Sequence, residues 1–124
     1  MTNEKNSKSI YDLEERTAVF GENVIKFCKK VPHGPITDPL ITQLTKSGTS
    51  VGANYCEADD AESKKDFIHK IGICKKEARE TKHWFRMIAT AVENLKQESR
   101  VLWQEAKELN LIFNKITITS KKNK

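Results

Sequence analysis

The sequence predicts an all-α, antiparallel up-down four-helix bundle, and three observations carry that prediction. Apolar residues recur at intervals of three and four in four separate segments. The 124 residues include only five glycines and three prolines, too little turn chemistry for a many-stranded fold. The links between segments are short, which favours antiparallel neighbours. At this length, with 37% hydrophobic residues, the chain has material for one core and not for two independent domains.

The first helix is expected over residues 12–30. Asp12 can accept from first-turn amides, with Glu15 three positions on in the capping-box spacing. Leu13, Thr17, Phe20, Val24, Phe27 and Val31 then form one stripe. Pro32, Gly34, Pro35 and Pro39 end it. Thr37 or Asp38 is the expected cap of the second helix, whose stripe is Leu40, Leu44, Val51, Tyr55 and Ala58 with Gly48 at its margin. Its middle, 47–54, holds two glycines and several small polar residues, poor helix formers that also suit a loop or a phosphate-binding glycine turn. Helix is preferred, because the apolar spacing runs through it and no β-type run or GxxxxGK pattern accompanies it. The small side chains would let a neighbouring backbone approach closely.

Ser63 and Asp66 form a second capping-box start for a helix running to about residue 93, with Phe67, Ile71, Cys74, Ala78, Thr81, Phe85, Ile88 and Val92 on its buried face. A polar link over 94–99 is expected before the last helix, with Leu102, Ala106, Leu109, Ile112 or Phe113, and Ile116 inward. Residues 116–119 alternate β-branched and polar side chains, but without a partner strand a helix or fraying end is expected. The bundle domain is thus placed at 12–119, between flexible segments at 1–11 and 120–124.

Lys and Arg outnumber Asp and Glu by 22 to 17, a formal charge of +5, so the location of the excess matters more than its size. At 100° per residue, Lys64, Lys75, Arg79, Lys82 and Arg86 share a narrow arc beside the apolar face of the third helix, while Asp66, Glu77 and Glu80 fall on its other flank. Such a strip can follow a phosphate backbone, meet an acidic flank of a sister subunit, or stand as solvated surface. Aromatic interleaving is sparse and RNA-recognition, KH and zinc-finger patterns are absent, so phosphate and shape contact is expected over base reading. On the second helix Gln43, Ser50, Asn54 and Glu57 form a polar strip adjoining the core, from which interhelical hydrogen bonds are expected. Trp84, Trp103, Leu111 and Ile118 lie off the buried stripes, pointing to a homo-oligomer.

Other chemistries find no support in the spacing. Glu80-x-x-His83 occurs once, and di-metal bundles need two copies with further inward glutamates. His33 and His69 read as surface residues. The cluster Glu57, Asp59, Asp60 and Glu62 reads as helix-start electrostatics and solubility. Cys28, Cys56 and Cys74 form no CxxC and fit reduced, mostly buried thiols. No pattern sets a nucleophile beside a base, so a non-enzymatic protein without cofactor or metal is expected. No run approaches the roughly 20 apolar residues of a membrane span, and residues 1–9 lack a secretory signal's apolar segment, so a cytoplasmic protein without a membrane partner is expected.

These residues resemble the four-helix bundle family that includes proteins encoded by intervening sequences in bacterial 23S ribosomal RNA genes. The resemblance covers residues 10–116. It is carried by QLTKSGTSVGANYCEA (43–58), by SKKDFIHK (63–70), by KKEARETKHWF (75–85), and by the opening Tyr11-Asp-Leu13. The family pattern of a helix-two Gln followed by Ser-x-x-x-Asn-x-x-Glu falls on Gln43, Ser50, Asn54 and Glu57. The resemblance implies an antiparallel bundle, assembly as a cyclic homopentamer, and similarity to retroelement accessory proteins that bind nucleic acid and a reverse transcriptase. RNA or DNA is the partner so implied, with a protein-only assembly or adaptor role as the alternative. Thr45 and Lys46 stand where many relatives carry adjacent arginines, and Ala58 where many carry glycine. The lost arginines remove positive charge from the second helix, and the basic strip on the third helix remains.

Overall fold

A computed structural model describes residues 12–122, and these described residues form four α-helices. They are α1 (Leu13–Cys28), α2 (Thr37–Asp59), α3 (Lys64–Ala91) and α4 (Lys96–Lys122), with a 3₁₀ turn at Glu93–Leu95 joining the last two. Residues 1–11, Tyr11 among them, and 123–124, expected to be flexible, lie outside the described residues.

Packing runs in chain order, α1 on α2, α2 on α3 and α3 on α4, and a sparser α1–α4 seam closes the bundle. The four stripes meet in one core in which Phe20, Phe27, Phe85 and Phe113 are the largest fully buried side chains. Phe27 meets Phe85 edge-on at 5.4 Å between ring centroids, joining α1 to α3. Phe113 takes the inward position on α4, while Ile112 is half-buried.

Segment 47–54 is helical throughout, and the reason is the approach of α1. A β-carbon built on Gly48 would stand 2.7 Å from both γ-methyls of Val24, and one on Gly52 would stand 3.2 Å from the carbonyl oxygen of Thr17. The close α1–α2 contact compensates for the low helix propensity of these glycines. The neighbouring hydroxyls also fold back on their own helix: Thr49 donates to the Thr45 carbonyl at 2.7 Å and Ser50 to the Lys46 carbonyl at 2.6 Å.

The caps at Asp12 and Ser63 accept from the amides of Glu15 at 3.1 Å and Asp66 at 3.0 Å. The expected cap at Thr37 or Asp38 is different. Helix α2 starts one residue earlier, after Ile36, with no side-chain cap. The Thr37 hydroxyl instead donates to the Pro32 carbonyl, and the Asp38 carboxylate takes the Gly34 amide at 3.2 Å and the His33 imidazole at 2.9 Å. Both side chains fold the proline-rich loop rather than end the helix, and His33 holds the Asp38 carboxyl below its ordinary range.

The link expected at 94–99 is also shorter than the sequence suggests. Leu95 is buried within the 3₁₀ turn, and α4 is helical from Lys96, with Ser99 already inside its first turns and buried. Residues 116–119 are helical, and α4 continues through Lys122.

Candidate functional site

The five cations of the α3 strip are positioned by the burial of their neighbours. Ile71, Cys74, Ala78, Thr81, Phe85 and Ile88 turn into the core, which puts Lys75, Arg79, Lys82 and Arg86 on the flank toward α4. Two side-chain clamps fix the register of the pair. The buried Ser99 hydroxyl donates to the Phe85 carbonyl at 2.7 Å, and the Asn110 amide donates to the Lys75 carbonyl at 2.8 Å. With Ser99, Ala106, Leu109 and Phe113 inward, the α4 flank facing α3 carries Lys96, Arg100, Trp103 and Lys107 at intervals of four, three and four. Lys75, Arg79, Lys82 and Arg86 therefore border one groove with Lys96, Arg100 and Lys107. Lys64 lies on the same flank in the first turn of α3, about 16 Å further along the helix from Lys75.

Trp103 is the aromatic centre of this groove. The Lys82 ammonium stands 5.5 Å from its ring centroid and the Lys107 ammonium 5.6 Å, within cation–π range. Beyond it, toward the 3₁₀ turn, a cavity of about 670 Å³ is lined by Phe85, Arg86, Glu93, Lys96, Arg100 and Trp103, among others. That volume falls in the range of small-molecule sites.

The acidic residues of α4 lie on its opposite flank and are neutralised there. Arg16 of α1 makes a two-pronged contact with Glu105, 2.9 Å at each prong, and reaches Glu108 at 3.2 Å. Lys30 pairs with Glu98 at 2.7 Å. Both glutamates raise the Arg16 guanidinium pKa above its ordinary value, Glu105 the more, against a smaller opposing effect of burial. The remaining pairs are Lys70–Glu57 at 2.6 Å and His33–Asp38. Among the described residues, no ion pair uses any of the seven groove cations. Positive potential thus collects between α3 and α4, while the α1–α4 seam is balanced.

The helix-two strip is arranged differently from the expected interhelical network. Gln43 is exposed, Ser50 bonds back to Lys46, and Asn54 donates to the Ser50 carbonyl at 2.8 Å. Only Glu57 reaches another helix, through Lys70. The buried interhelical hydrogen bond falls one position inward, between the Ser47 and Thr81 hydroxyls at 3.0 Å. Ser47 lies three residues after Leu44 and four before Val51, so apolar spacing marks it as inward despite its polarity. The Thr81 hydroxyl also has the Glu77 carbonyl of its own preceding turn at 2.7 Å, and the buried Thr17 hydroxyl bonds back to Leu13 in the same way.

The other titratable side chains form no comparable site. Among the described residues, no group of three or more His, Cys, Asp or Glu side chains is gathered as a metal site. The His83 ring lies 4.9 Å from Trp84, centroid to centroid, and the Trp84 indole N–H is enclosed without an acceptor among the described residues. Burial pushes the Cys28 thiol up and the Cys74 thiol up to about 12, whereas Cys56 is exposed. No helix of the described residues is long and apolar enough to cross a membrane.

The α4 half of the groove was missed from sequence. Lys96, Arg100 and Lys107 share a flank by spacing, but Glu98, Glu105 and Glu108 alternate with them, so the helix reads as evenly mixed until α1 covers the acidic side.

Comparison with known proteins supports this architecture. No curated protein matches the chain significantly. A solved structure from Bacteroides thetaiotaomicron, described as a protein of unknown function from the S23 ribosomal protein family, is similar with a TM-score of 0.73 and 26% identity, over 84% of this chain and 96% of that one. The model of the 23S rRNA-intervening sequence protein family matches residues 11–115, most of the chain, so this chain belongs to that family.

Proposed function

We propose that the chain is a non-enzymatic, oligomeric accessory protein that binds RNA or DNA through the basic groove of α3 and α4. The observation that carries this reading is the alignment of seven cations, unpaired among the described residues, along two clamped helices with a tryptophan between them. Lys75 to Arg86 spans about 16 Å, the axial length of about five nucleotides of one duplex strand. Phosphates would replace the water now solvating these side chains and release counterions, the dominant sequence-independent contribution to such affinity. The family's name, 23S rRNA-intervening sequence protein, favours the same class of partner, and so does the resemblance to retroelement accessory proteins drawn from the sequence. Self-association is supported by Val101, Leu111 and Ile118 on α4, exposed at 64%, 57% and 48%. The resemblance suggests a homopentamer.

A second reading is a protein-only assembly or adaptor, in which the groove cations meet acidic residues of another chain. Leu111 and Ile118 favour it, since helical spacing sets them on the same side of α4 as Lys107, giving apolar and basic contact together.

Binding of duplex and single-stranded RNA and DNA probes across a salt series separates the two. The Arg79→Glu, Lys82→Glu, Arg86→Glu triple variant should lose most affinity and flatten the logarithmic salt slope by about 2 to 3. Light scattering on the same samples should give an unchanged oligomer mass. Absence of binding at low salt, or affinity that survives the triple reversal in a folded variant, overturns the first reading. Loss of the oligomer without any nucleic-acid binding establishes the second.

A further inference from the structure

We infer that the cavity at the 3₁₀-turn end of the groove holds one unpaired base, that Trp103 stacks on it, and that Glu93 makes guanine the preferred base. This inference rests on the nucleic-acid reading and names the ligand class at the same groove.

The groove alone would suit any polyanion, but the cavity does not. Its volume of about 670 Å³ has room for a flat heterocycle, whereas a paired duplex presents a phosphate ridge with its bases stacked inside. Arg86, Lys96 and Arg100 line the cavity and supply positive charge for the phosphates on either side of an extruded nucleotide. Trp103 lines it too and offers a face every base can stack upon. Its present companions, Lys82 and Lys107, sit on long flexible stems. Base stacking is stronger than a surface cation–π contact, so an arriving base displaces an ammonium, which then turns to a neighbouring phosphate.

Among the described residues Glu93 is the one carboxylate lining this cavity, in a groove otherwise suited to a polyanion. Against a phosphate it is repulsive, and it becomes favourable only when it meets hydrogen-bond donors. Guanine offers two adjacent donors, the N1–H and the N2 amino group, matching the two oxygens of a carboxylate. Adenine, cytosine and uracil each place an acceptor on that edge next to their donor. The base-specific element is therefore an acidic side chain, which a search for basic strips passes over.

The test uses the full chain and labelled single-stranded RNA 12-mers of oligouridine with one central G, A, C or U, beside a fully paired hairpin with the same number of phosphates. The central-G strand should bind about tenfold tighter than the all-U strand and tighter than the hairpin at equal salt, and should quench Trp103 fluorescence, identified by comparison with Trp103→Phe. Trp103→Ala should lose about tenfold on the single strands while keeping the salt slope, and Glu93→Gln should bring G and A to within about twofold of each other. Hairpin binding as tight as the single strand, without quenching, overturns the cavity inference while the groove reading stands. Single-strand preference with quenching but no discrimination among bases overturns the role of Glu93. No binding of any probe at low salt overturns the inference together with the reading it rests on.

Discussion

Replacing Gly48 and Gly72 by alanine in turn should move stability in opposite directions, although both lie inside helices. An alanine at an ordinary helical position stabilises by about 1 kcal/mol relative to glycine. At Gly72 nothing among the described residues lies within 4 Å of the added β-carbon, so Gly72→Ala should deliver that gain, about 4 °C in Tm for a domain of this size. At Gly48 the same carbon would stand 2.7 Å from two methyls of Val24 and 3.1 Å from its β-carbon. Val24 is fully buried and β-branched, so it has no long flexible end to swing aside. Overpacking of this kind costs about 1–3 kcal/mol, which cancels or exceeds the propensity gain and leaves Gly48→Ala up to about 2 kcal/mol less stable than the native chain. Gly21, with its nearest neighbour at 3.6 Å, should tolerate alanine, and Gly52, 3.2 Å from a carbonyl oxygen, should fall between Gly21 and Gly48.

Urea denaturation followed by helical circular dichroism checks the order, and a double mutant isolates its cause. Val24→Ala alone should cost about 2 kcal/mol for the methyls and the space they leave. In Val24→Ala, Gly48→Ala the new β-carbon enters that space, so the double variant should be more stable than Val24→Ala, with a coupling of about 1–3 kcal/mol. A Gly48→Ala protein as stabilised as Gly72→Ala, or strictly additive single effects, would refute the claim that close α1–α2 approach dictates these glycines.

Three further outcomes follow from the polar groups. Arg16→Ala should lower stability by about 1 kcal/mol in low salt and less in 1 M NaCl, because its bidentate pair with Glu105 is only partly exposed and closes the sparse α1–α4 seam; equal losses at both salt levels would assign the effect to packing. Burial first, and the charge of Glu80 second, raise the Glu77 carboxyl above its ordinary range, so the folded chain holds that proton more tightly than the unfolded one. The resulting stability is present below the unfolded carboxyl pKa and lost as pH rises through the folded one, so Glu77→Gln should be more stable than the native chain at pH 7 and no more stable near pH 3, read from urea midpoints. With a thiol reagent at pH 8 under native conditions, Cys56 should react rapidly, and Cys28 and Cys74 only on unfolding, as mass spectrometry of the labelled peptides would show.

The bundle was legible in the sequence because burial in a helix obeys a period the residues display. Phe20, Val24 and Phe27, or Ala78, Thr81 and Phe85, are inward whatever surrounds them, provided something does. Where reading failed, polarity was mistaken for conformation. Lys96, Gln97 and Glu98 look like a loop because a solvated first turn has the same composition as one, and only the buried Leu95 and Ser99 on either side reveal continuous packing. Thr37 and Asp38 have cap chemistry, but the loop they follow had a stronger need for it.

Half the candidate site was legible for a related reason. The α3 cations lie on one helix, so their common face is a matter of arithmetic. Those of α4 alternate with glutamates, and whether Lys96, Arg100 and Lys107 join them depends on which flank α3 occupies, a question of tertiary order. In an up-down bundle α4 lies between α3 and α1, so each of its flanks meets a different neighbour. The side carrying Glu98 and Glu105 meets Arg16 and Lys30 and becomes neutral, and the side carrying the cations faces another row of cations. A net charge of +5 is too small to distinguish this protein from many others, yet topology divides it into one balanced seam and one concentrated groove. Like charges on adjacent flanks cost stability, and the Ser99 and Asn110 clamps hold α3 and α4 together across that repulsion. A bundle selected for stability alone would sooner face opposite charges there. The uncompensated groove is therefore the feature of this fold that most calls for a functional explanation.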